Sequence, residues 1–342
     1  MTIEPLRTAV VGCGGHGTAL ARAVVRSDQL QLVACADPDE VARRTVAVLA
    51  DGVSSHKSVV ELLGAADVDA VLIATTHEAL APTALAAIRA GKHVMIEKPM
   101  ALNEEEAKEV EFAAASADVT CMVGYSFRYG MARYVSQLLA QGAVGDPRVI
   151  TGAIGTPAMD DGWVAQASSG GGPMLYVGCH LIDLALWVMG EEPSEVTARV
   201  HYAADTEVDE TSAATLGFSD RRLAQLVVTQ KASGFFYEFR IIGSSGFIGL
   251  RGRNFVQFEI EVQSDVLEAY REPTIIRPSM RGDNVTMMLV PELAEFASAI
   301  VDQRPAAITA TDGRRALRVI DAVGQSARSL RPVALAPTLT AY

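Results

Sequence analysis

The residues of this chain best suited to chemistry are a lysine and a histidine at the ends of two apolar segments. Lys98 closes the strand-like run 93–97 and precedes a proline, which disfavours helix at the lysine and keeps it extended. His180 and Asp183 are three residues apart and share one face of a helix predicted over 178–189. An ammonium group, an imidazole and a carboxylate can hold a substrate hydroxyl and move its proton. These segments predict proton transfer at a hydroxylated substrate.

Tyr176 joins this face if the predicted helix begins early enough, because it lies four residues before His180. Two roles are open for it, a proton relay or a wall of the substrate pocket. A phenol has a pKa of about 10 and is uncharged at neutral pH. It therefore cannot raise the basicity of His180 or Lys98 as a carboxylate would.

A glycine-rich turn predicts a dinucleotide site. The run Gly12-Cys13-Gly14-Gly15-His16-Gly17 follows an apolar strand and opens a helix, the context in which the G-x-G-x-x-G spacing is informative. We expect the first glycine to allow the tight turn, the second to let the backbone approach a pyrophosphate, and the third to let the helix pack on the strand. The helix N-terminus then faces the phosphates.

Asp37, at the end of the second predicted strand, indicates which dinucleotide binds. A carboxylate there can accept hydrogen bonds from both ribose hydroxyls of the adenosine half and would repel a 2′-phosphate. NAD is therefore predicted over NADP. Arg43 and Arg44 follow on a predicted helix whose face we expect to be solvated, although they leave NADP as an alternative.

The surrounding elements predict an α/β protein with two domains. Residues 1–124 alternate apolar strands with helices, which indicates a doubly wound parallel sheet covered on both faces. Residues 125–342 carry strand-like runs joined by short turns, which indicates an α+β domain with an open, largely antiparallel sheet. A C-terminal helix of this part is expected to pack back on the first domain. The predicted strands of the second part are 147–154, 195–202, 211–218, 223–231, 235–242, 247–250 and 254–261, and its tail helices are 291–302 and 312–329.

Composition excludes several classes of partner. The 342 residues carry a net charge of −12, which disfavours binding to nucleic acid and to anionic lipid. No apolar stretch is long enough to span a bilayer. The four cysteines are scattered without metal-ligand spacing, so we expect free thiols in a reducing cytoplasm and no metal site.

Taken together, the motifs resemble the Gfo/Idh/MocA family, which includes glucose–fructose oxidoreductase and inositol dehydrogenase. The glycine turn, the stretch 90–99 with its Glu-Lys-Pro, and Gly178-x-His180-x-x-Asp183 match that family. So do the segment 124–129 and the closing segment 295–317. The match runs from about residue 6 to residue 335.

The resemblance implies an N-terminal Rossmann domain, a non-covalent nicotinamide cofactor, and oxidation or reduction at one carbon of a sugar, cyclitol or similar polyol. The family's usual catalytic lysine and histidine fall on Lys98 and His180. The family commonly has an aspartate where this chain has Tyr176. It also often has Thr-Pro-Asn where this chain has Thr75-Thr76-His77. We expect these three residues, the glycine turn with Cys13, Gly15 and His16, Asp37, Glu97 and Lys98 to line the cofactor.

His180 is the first candidate for the base, since its unperturbed pKa lies near neutrality, with Lys98 holding the substrate oxygen. The reverse assignment is also open. Asp183, Tyr125, Arg128 and Trp163 are predicted to contact substrate, with core packing nearly as well supported for the two aromatic residues. The open sheet predicts a homo-oligomer, a dimer or tetramer. Two other functions are compatible with the motifs: an NAD-dependent glycosidase that uses transient oxidation, and a non-catalytic sensor of nicotinamide nucleotides.

Overall fold

The computed structural model describes residues 4–159, 162–204, 206–254, 257–278 and 284–336. The chain folds into two compact units. The first comprises residues 1–129 and 282–314, and the second residues 130–281 and 315–342. Each unit is built around its own sheet.

The helices, in chain order, are α1 (Gly15–Val25), α2 (Glu40–Ala47), α3 (Val59–Ala65), α4 (His77–Arg89), α5 (Glu104–Ala117), α6 (Ala132–Ala140), α7 (Cys179–Met189), α8 (Asn284–Val301) and α9 (Ala310–Ser329). The strands are β1 (Leu6–Val11), β2 (Leu30–Ala36), β3 (Ser54–His56), β4 (Ala70–Ile73), β5 (His93–Glu97), β6 (Cys121–Gly124), β7 (Pro147–Gly155), β8 (Glu195–Tyr202), β9 (Asp209–Gly217), β10 (Leu223–Thr229), β11 (Phe236–Gly243), β12 (Gly246–Gly252), β13 (Phe258–Ser264), β14 (Thr274–Ile276) and β15 (Val333–Ala334).

The first unit contains a six-stranded parallel sheet in the order β3-β2-β1-β4-β5-β6. Its central strands are buried along their length, with β4 and most of β1 inaccessible to solvent, as the apolar runs predict. The strand order reverses between β1 and β4. In such sheets ligands bind outside the carboxyl ends of the strands at this reversal. The doubly wound parallel sheet predicted from the sequence is confirmed.

Helix α8 belongs to the first unit, although it lies within the range 125–342 assigned to the second domain, for which a C-terminal helix was expected to pack back on the first. The physical reason is its apolar face. Leu289, Leu293 and Phe296 are fully buried in one hydrophobic cluster with residues of α1 and of the parallel sheet. Burying three large apolar side chains favours the folded state by several kcal/mol, about 2 kcal/mol each.

The second unit contains a nine-stranded sheet in the order β14-β13-β12-β11-β7-β10-β9-β8-β15. Its neighbouring strands run antiparallel except for β7 and β10, which are parallel, so the predicted antiparallel character is confirmed. Burial alternates along β10 and β11, which leaves one face of the sheet against α7 and the other exposed.

One strand of this sheet is displaced from its predicted position. The sequence predicts a strand over 254–261, but β13 begins at Phe258. The side chain of Asn254 accepts a hydrogen bond from the backbone N–H of Gln257 at 2.7 Å, a local contact that is not part of a strand ladder. Residues 255 and 256 lie outside the described part of the chain.

A buried ion pair within the first unit generates the first testable prediction. The Arg314 side chain is 9% exposed, and its Nε donates to Glu111 Oε2 at 2.5 Å. Arg314→Met removes this cation and leaves the partly exposed Glu111 with the hydrogen bond from Thr311 Oγ1 alone, so we expect the free energy of unfolding to fall by about 2 kcal/mol. Arg44 pairs with Glu40 on an exposed helix face, so the control Arg44→Met should change that energy by less than about 1 kcal/mol. Chemical denaturation followed by circular dichroism measures both, and equal effects would contradict the assigned role of Arg314.

Candidate active site

The glycine turn brings α1 against the end of β1 more closely than a side chain would allow. Gly12 has a φ of +87°, and a Cβ there would collide with the carbonyl group of Ala74, which follows β4. A Cβ on Gly17 would collide with the carbonyl oxygen of Gly12. Both glycines are therefore required by the fold of this turn.

The two glycines between them face open space. A Cβ on Gly14 or Gly15 would meet no described atom within 4 Å. No side chain of the described residues caps the N-terminus of α1 at Gly14. Backbone N–H groups at an uncapped helix N-terminus attract anions. The turn therefore fits a group such as a pyrophosphate, as the sequence predicts.

Asp37 fixes this turn from the end of β2. Its Oδ2 accepts a hydrogen bond from the backbone N–H of Cys13 at 2.7 Å, and its Oδ1 accepts one from the N–H of Asp39 at 2.8 Å. Each carboxylate oxygen has a second lone pair available. The carboxylate can thus hold the turn and also accept hydrogen bonds from ribose hydroxyls.

The two arginines after Asp37 were both expected on a solvated helix face, but they differ in exposure. Arg43 is buried, and its Nη1 donates to the carbonyl oxygens of Asp37 and Pro38 at 2.6 and 3.0 Å. Arg44 is exposed and pairs with Glu40. The expectation is therefore wrong for Arg43, because the turn after β2 presents carbonyl oxygens that its guanidinium binds.

The last residue of β5, Glu97, contacts the glycine turn and immediately precedes Lys98. Glu97 is 6% exposed, and its Oε1 lies 2.8 Å from Nε2 of His16 at the start of α1. This contact joins two residues predicted to bind the cofactor. Lys98 follows, half-buried, and is joined to Pro99 by a cis peptide bond.

The remaining predicted residues of the first unit lie at the ends of β4 and β6. Thr75 and Thr76 lead into α4, for which Thr76 is the N-cap residue, and His77 is buried in its first turn. Tyr125 is fully buried after β6, and Arg128 is half-buried in the short turn that follows. The burial of Tyr125 favours a packing role over substrate contact.

In the second unit, the candidate residues lie on α7 and on the π-helical turn before it, at Met174–Gly178. His180 and Asp183 are both buried on α7, at 5% and 1% exposure. Tyr176 is half-buried in the π-helical turn, and its ring lies edge-on to Trp163 with 6.1 Å between centroids. The wider π-helical turn shifts Tyr176 away from ideal α-helical spacing with His180.

Asp209 anchors the start of this helical segment and was not predicted from the sequence. Its Oδ2 accepts hydrogen bonds from the backbone N–H of Met174 at 3.0 Å and from Ser212 Oγ at 2.8 Å. A Cβ on Gly172 would collide with its Oδ1. Burial raises the pKa of Asp209 to about 6. No motif or spacing marks this residue, because it lies far from α7 in the sequence.

Two family models match successive parts of the chain. Residues 6–125 match the model described as an oxidoreductase family with an NAD-binding Rossmann fold, and residues 132–249 match a Gfo/Idh/MocA C-terminal domain. The chain belongs to the Gfo/Idh/MocA family. Its residues 6–125 match an NAD-binding Rossmann domain, which confirms the predicted cofactor class. These descriptions do not favour a glycosidase or a sensor.

Some of the similar proteins match this chain over only part of their own length, and others over almost all of it. A 1,5-anhydro-D-fructose reductase of Ensifer adhaerens is 38% identical over 44% of this chain and 46% of its own length. For this reductase and two further relatives, the chain spans between 46% and 62% of the relative's length. A myo-inositol 2-dehydrogenase of Thermotoga maritima is 26% identical over 96% of this chain and 98% of its own length.

The fold recurs among solved structures. A levoglucosan dehydrogenase in complex with NADH superposes with a TM-score of 0.87 at 21% identity, covering 98% of this chain and all of that chain.

Within the described ranges, no helix is long and apolar enough to cross a membrane. In the same ranges, no three side chains among His, Cys, Asp and Glu are grouped to hold a metal ion.

Asp209 gives a prediction with a defined pH dependence. Its raised pKa means that the folded state binds a proton more tightly than the unfolded state. The stability from that proton is complete below about pH 4 and is lost as the pH rises through about 6. The free energy of unfolding of the wild type relative to Asp209→Asn should therefore fall by about 3 kcal/mol across this range.

Denaturation at a series of pH values measures this difference. The control Asp265→Asn removes an exposed carboxylate of the same unit and should leave the pH profile of the wild type unchanged. A wild-type profile that runs parallel to that of Asp209→Asn would contradict the burial of an ionisable Asp209.

Proposed function

We propose that this chain is an NAD-dependent dehydrogenase or reductase that transfers hydride between the nicotinamide and one carbinol carbon of a sugar, cyclitol or related polyol. The observation that carries the proposal is the glycine-lined N-terminus of α1 held by Asp37, in a chain of an oxidoreductase family. Relatives named for an anhydro sugar and for myo-inositol support a small, ring-shaped, hydroxylated substrate.

Different residues of the chain would bind different parts of the cofactor. The N–H groups at Gly14 and Gly15 would bind the pyrophosphate, and Asp37 would accept hydrogen bonds from the adenosine ribose. Thr75, Thr76, His77 and Glu97 lie at or just after the carboxyl ends of β4 and β5, the sheet edge at which such ligands bind. When bound, the nicotinamide supplies the donor or acceptor of hydride.

The proton chemistry belongs to Lys98 and His180. In the oxidative direction, His180 removes the proton of the substrate hydroxyl, since an imidazole can accept a proton near neutral pH. The ammonium of Lys98 donates a hydrogen bond to the same oxygen and stabilises the negative charge that develops on it. The exchanged assignment, with Lys98 as the base, predicts the same losses on substitution. It differs in which residue sets the pH profile.

Asp183, Arg128 and Trp163 are proposed to contact the substrate. Asp183 lies on the same helix as His180 and is buried, so its carboxylate is suited to orient either His180 or a substrate hydroxyl. Tyr176 packs edge-on against Trp163, which supports its role as a wall of the pocket. A relay through its phenol is the alternative, and Tyr176→Phe distinguishes the two, because the wall needs only the ring.

We also propose a homo-oligomer, a dimer or a tetramer, in a reducing cytoplasm. The exposed face of the nine-stranded sheet carries Leu223, Val227 and Ile242, each between 37% and 40% exposed. Apolar side chains gathered on one open sheet face are suited to a partner subunit. The four cysteines are buried and free, as in proteins of reducing compartments.

Substitution of the two proton-handling residues tests the proposed function. Turnover of a panel of sugars and cyclitols with NAD should fall by about 100-fold or more in Lys98→Met and in His180→Ala, because each removes a group that acts on the reacting hydroxyl. The matched controls Lys108→Met and His201→Ala change exposed residues of the same types and should retain wild-type turnover. Undiminished turnover in a folded Lys98→Met would overturn the mechanism.

The choice of cofactor has its own test. Asp37→Ala should weaken NAD binding by more than about tenfold, because the glycine turn loses the acceptor of the Cys13 N–H and the ribose loses its partner. Binding of NADP should weaken less, since a repelling carboxylate is removed. The control Glu40→Ala removes an equal charge from the exposed face of α2. Calorimetric titration with both cofactors measures the change, and equal wild-type affinities for them would contradict the role of Asp37.

A further inference from the structure

Glu292 is an acid in the apolar core of the first unit. It lies on α8 between Leu289 and Leu293, is inaccessible to solvent, and neither carboxyl oxygen has a hydrogen-bond partner among the described residues. An ionised carboxylate in such surroundings is strongly destabilised. The neutral, protonated form is the one that this environment favours.

The charged group that acts on Glu292 is another carboxylate, Glu97. Burial first, and then the charge of Glu97, raise the pKa of Glu292 well above its usual range. Among the described residues, His16 and Arg22 of α1 and Arg128 of the turn 126–128 lie on elements that pack against α8, and Tyr129 packs against the same apolar cluster. Of these, His16 lies closest to the pair, with its Nε2 2.8 Å from Glu97 Oε1.

The pair lies where the two motifs of this unit meet. Glu97 ends β5 and immediately precedes Lys98, and His16 belongs to the glycine turn. A Cβ on Gly124 of the neighbouring strand would come within 2.8 Å of Glu97 Oε1, so the Glu97 side chain has little room to move. Two negative charges could share this space only at a large electrostatic cost.

We propose that Glu292 is a positioning residue of the dinucleotide site, a buried neutral acid that leaves Glu97 as the ionised carboxylate against His16. Glutamine in its place keeps the shape and neutrality of the protonated acid. A second ionisation of the pair would displace Glu97 from His16 and thereby disturb the glycine turn. The cofactor then binds more weakly at alkaline pH, by roughly tenfold for each pH unit above that ionisation.

The protonation of the Glu292 carboxyl group is tested on the protein without added cofactor. Infrared spectra at about pH 8, where Asp209 with its pKa of about 6 is ionised, should contain the carbonyl band of a protonated carboxylic acid, and Glu292→Gln should remove it. Glu295→Gln on the same helix should retain the band, because the guanidinium of Arg304 holds the pKa of Glu295 below its usual range. A band retained in Glu292→Gln would overturn the proposal.

The positioning role is tested by calorimetric titration with NAD from neutral to alkaline pH. Glu292→Gln should match the wild-type affinity at neutral pH and lack the alkaline fall. Coincident pH profiles would reduce Glu292 to a packing residue and overturn the role. If Glu292→Gln fails to fold, Glu97→Gln decides, because removal of the neighbouring charge should shift the loss of the band to lower pH; an unshifted band would overturn the coupling.

The inference rests on the NAD site proposed above, and the two failures are distinguishable. Loss of the infrared band in Glu292→Gln together with no NAD binding by the wild type would refute the proposed cofactor site. Wild-type NAD binding together with a retained band would refute the role of Glu292 alone.

Discussion

The close approach of α1 to the end of β1 is the constraint on which the nucleotide half of this protein depends. Glycine at positions 12 and 17 allows the helix to begin directly over the strand, and the Asp37 carboxylate ties the turn to the end of β2. The same turn carries His16 to Glu97 and so connects the α1 N-terminus with the end of β5. One local geometry thus fixes the uncapped N-terminus of α1, the Asp37 carboxylate that we propose as the ribose acceptor, and the segment that ends in Lys98.

The second unit places a histidine on a buried helix. His180 and Asp183 are nearly inaccessible, and the polar start of their helical segment is satisfied by Asp209 from β9. Asp209 is itself buried close to Gly172, where only glycine leaves it room. The segment before the helix contains glycine for a packing reason, because a Cβ on Gly172 would collide with the Asp209 carboxylate.

The sequence predicted those parts of the fold that depend on local patterns. Apolar strands and the Gly12–Gly17 spacing located the parallel sheet and its turn, because period and glycine content are local properties. The short elements β3 and α3 were not predicted, since three polar residues and a single turn or two of helix leave little pattern. The start of β13 was missed because a side-chain hydrogen bond of Asn254 decides it.

The missed residues of the candidate site have a common cause. Asp209 and Glu292 were not predicted, and Arg43 was predicted to be solvated; the environment of each depends on tertiary neighbours that neither spacing nor residue type identifies in advance. A carboxylate in the sequence gives no indication of whether it will be solvated, paired or protonated. Lys98 and His180 were found because each ends or begins a recognisable element, and their roles stay predictions.

The proposed reaction moves hydride between NAD and one carbon of a polyol. Its most direct test is mass spectrometry of the cofactor after incubation of NAD with sugars and cyclitols that carry deuterium at their carbinol carbons. We expect the reduced cofactor to contain one deuterium from the substrate. Reduced cofactor without the label, or NAD binding without reduction by any polyol of the panel, would contradict it.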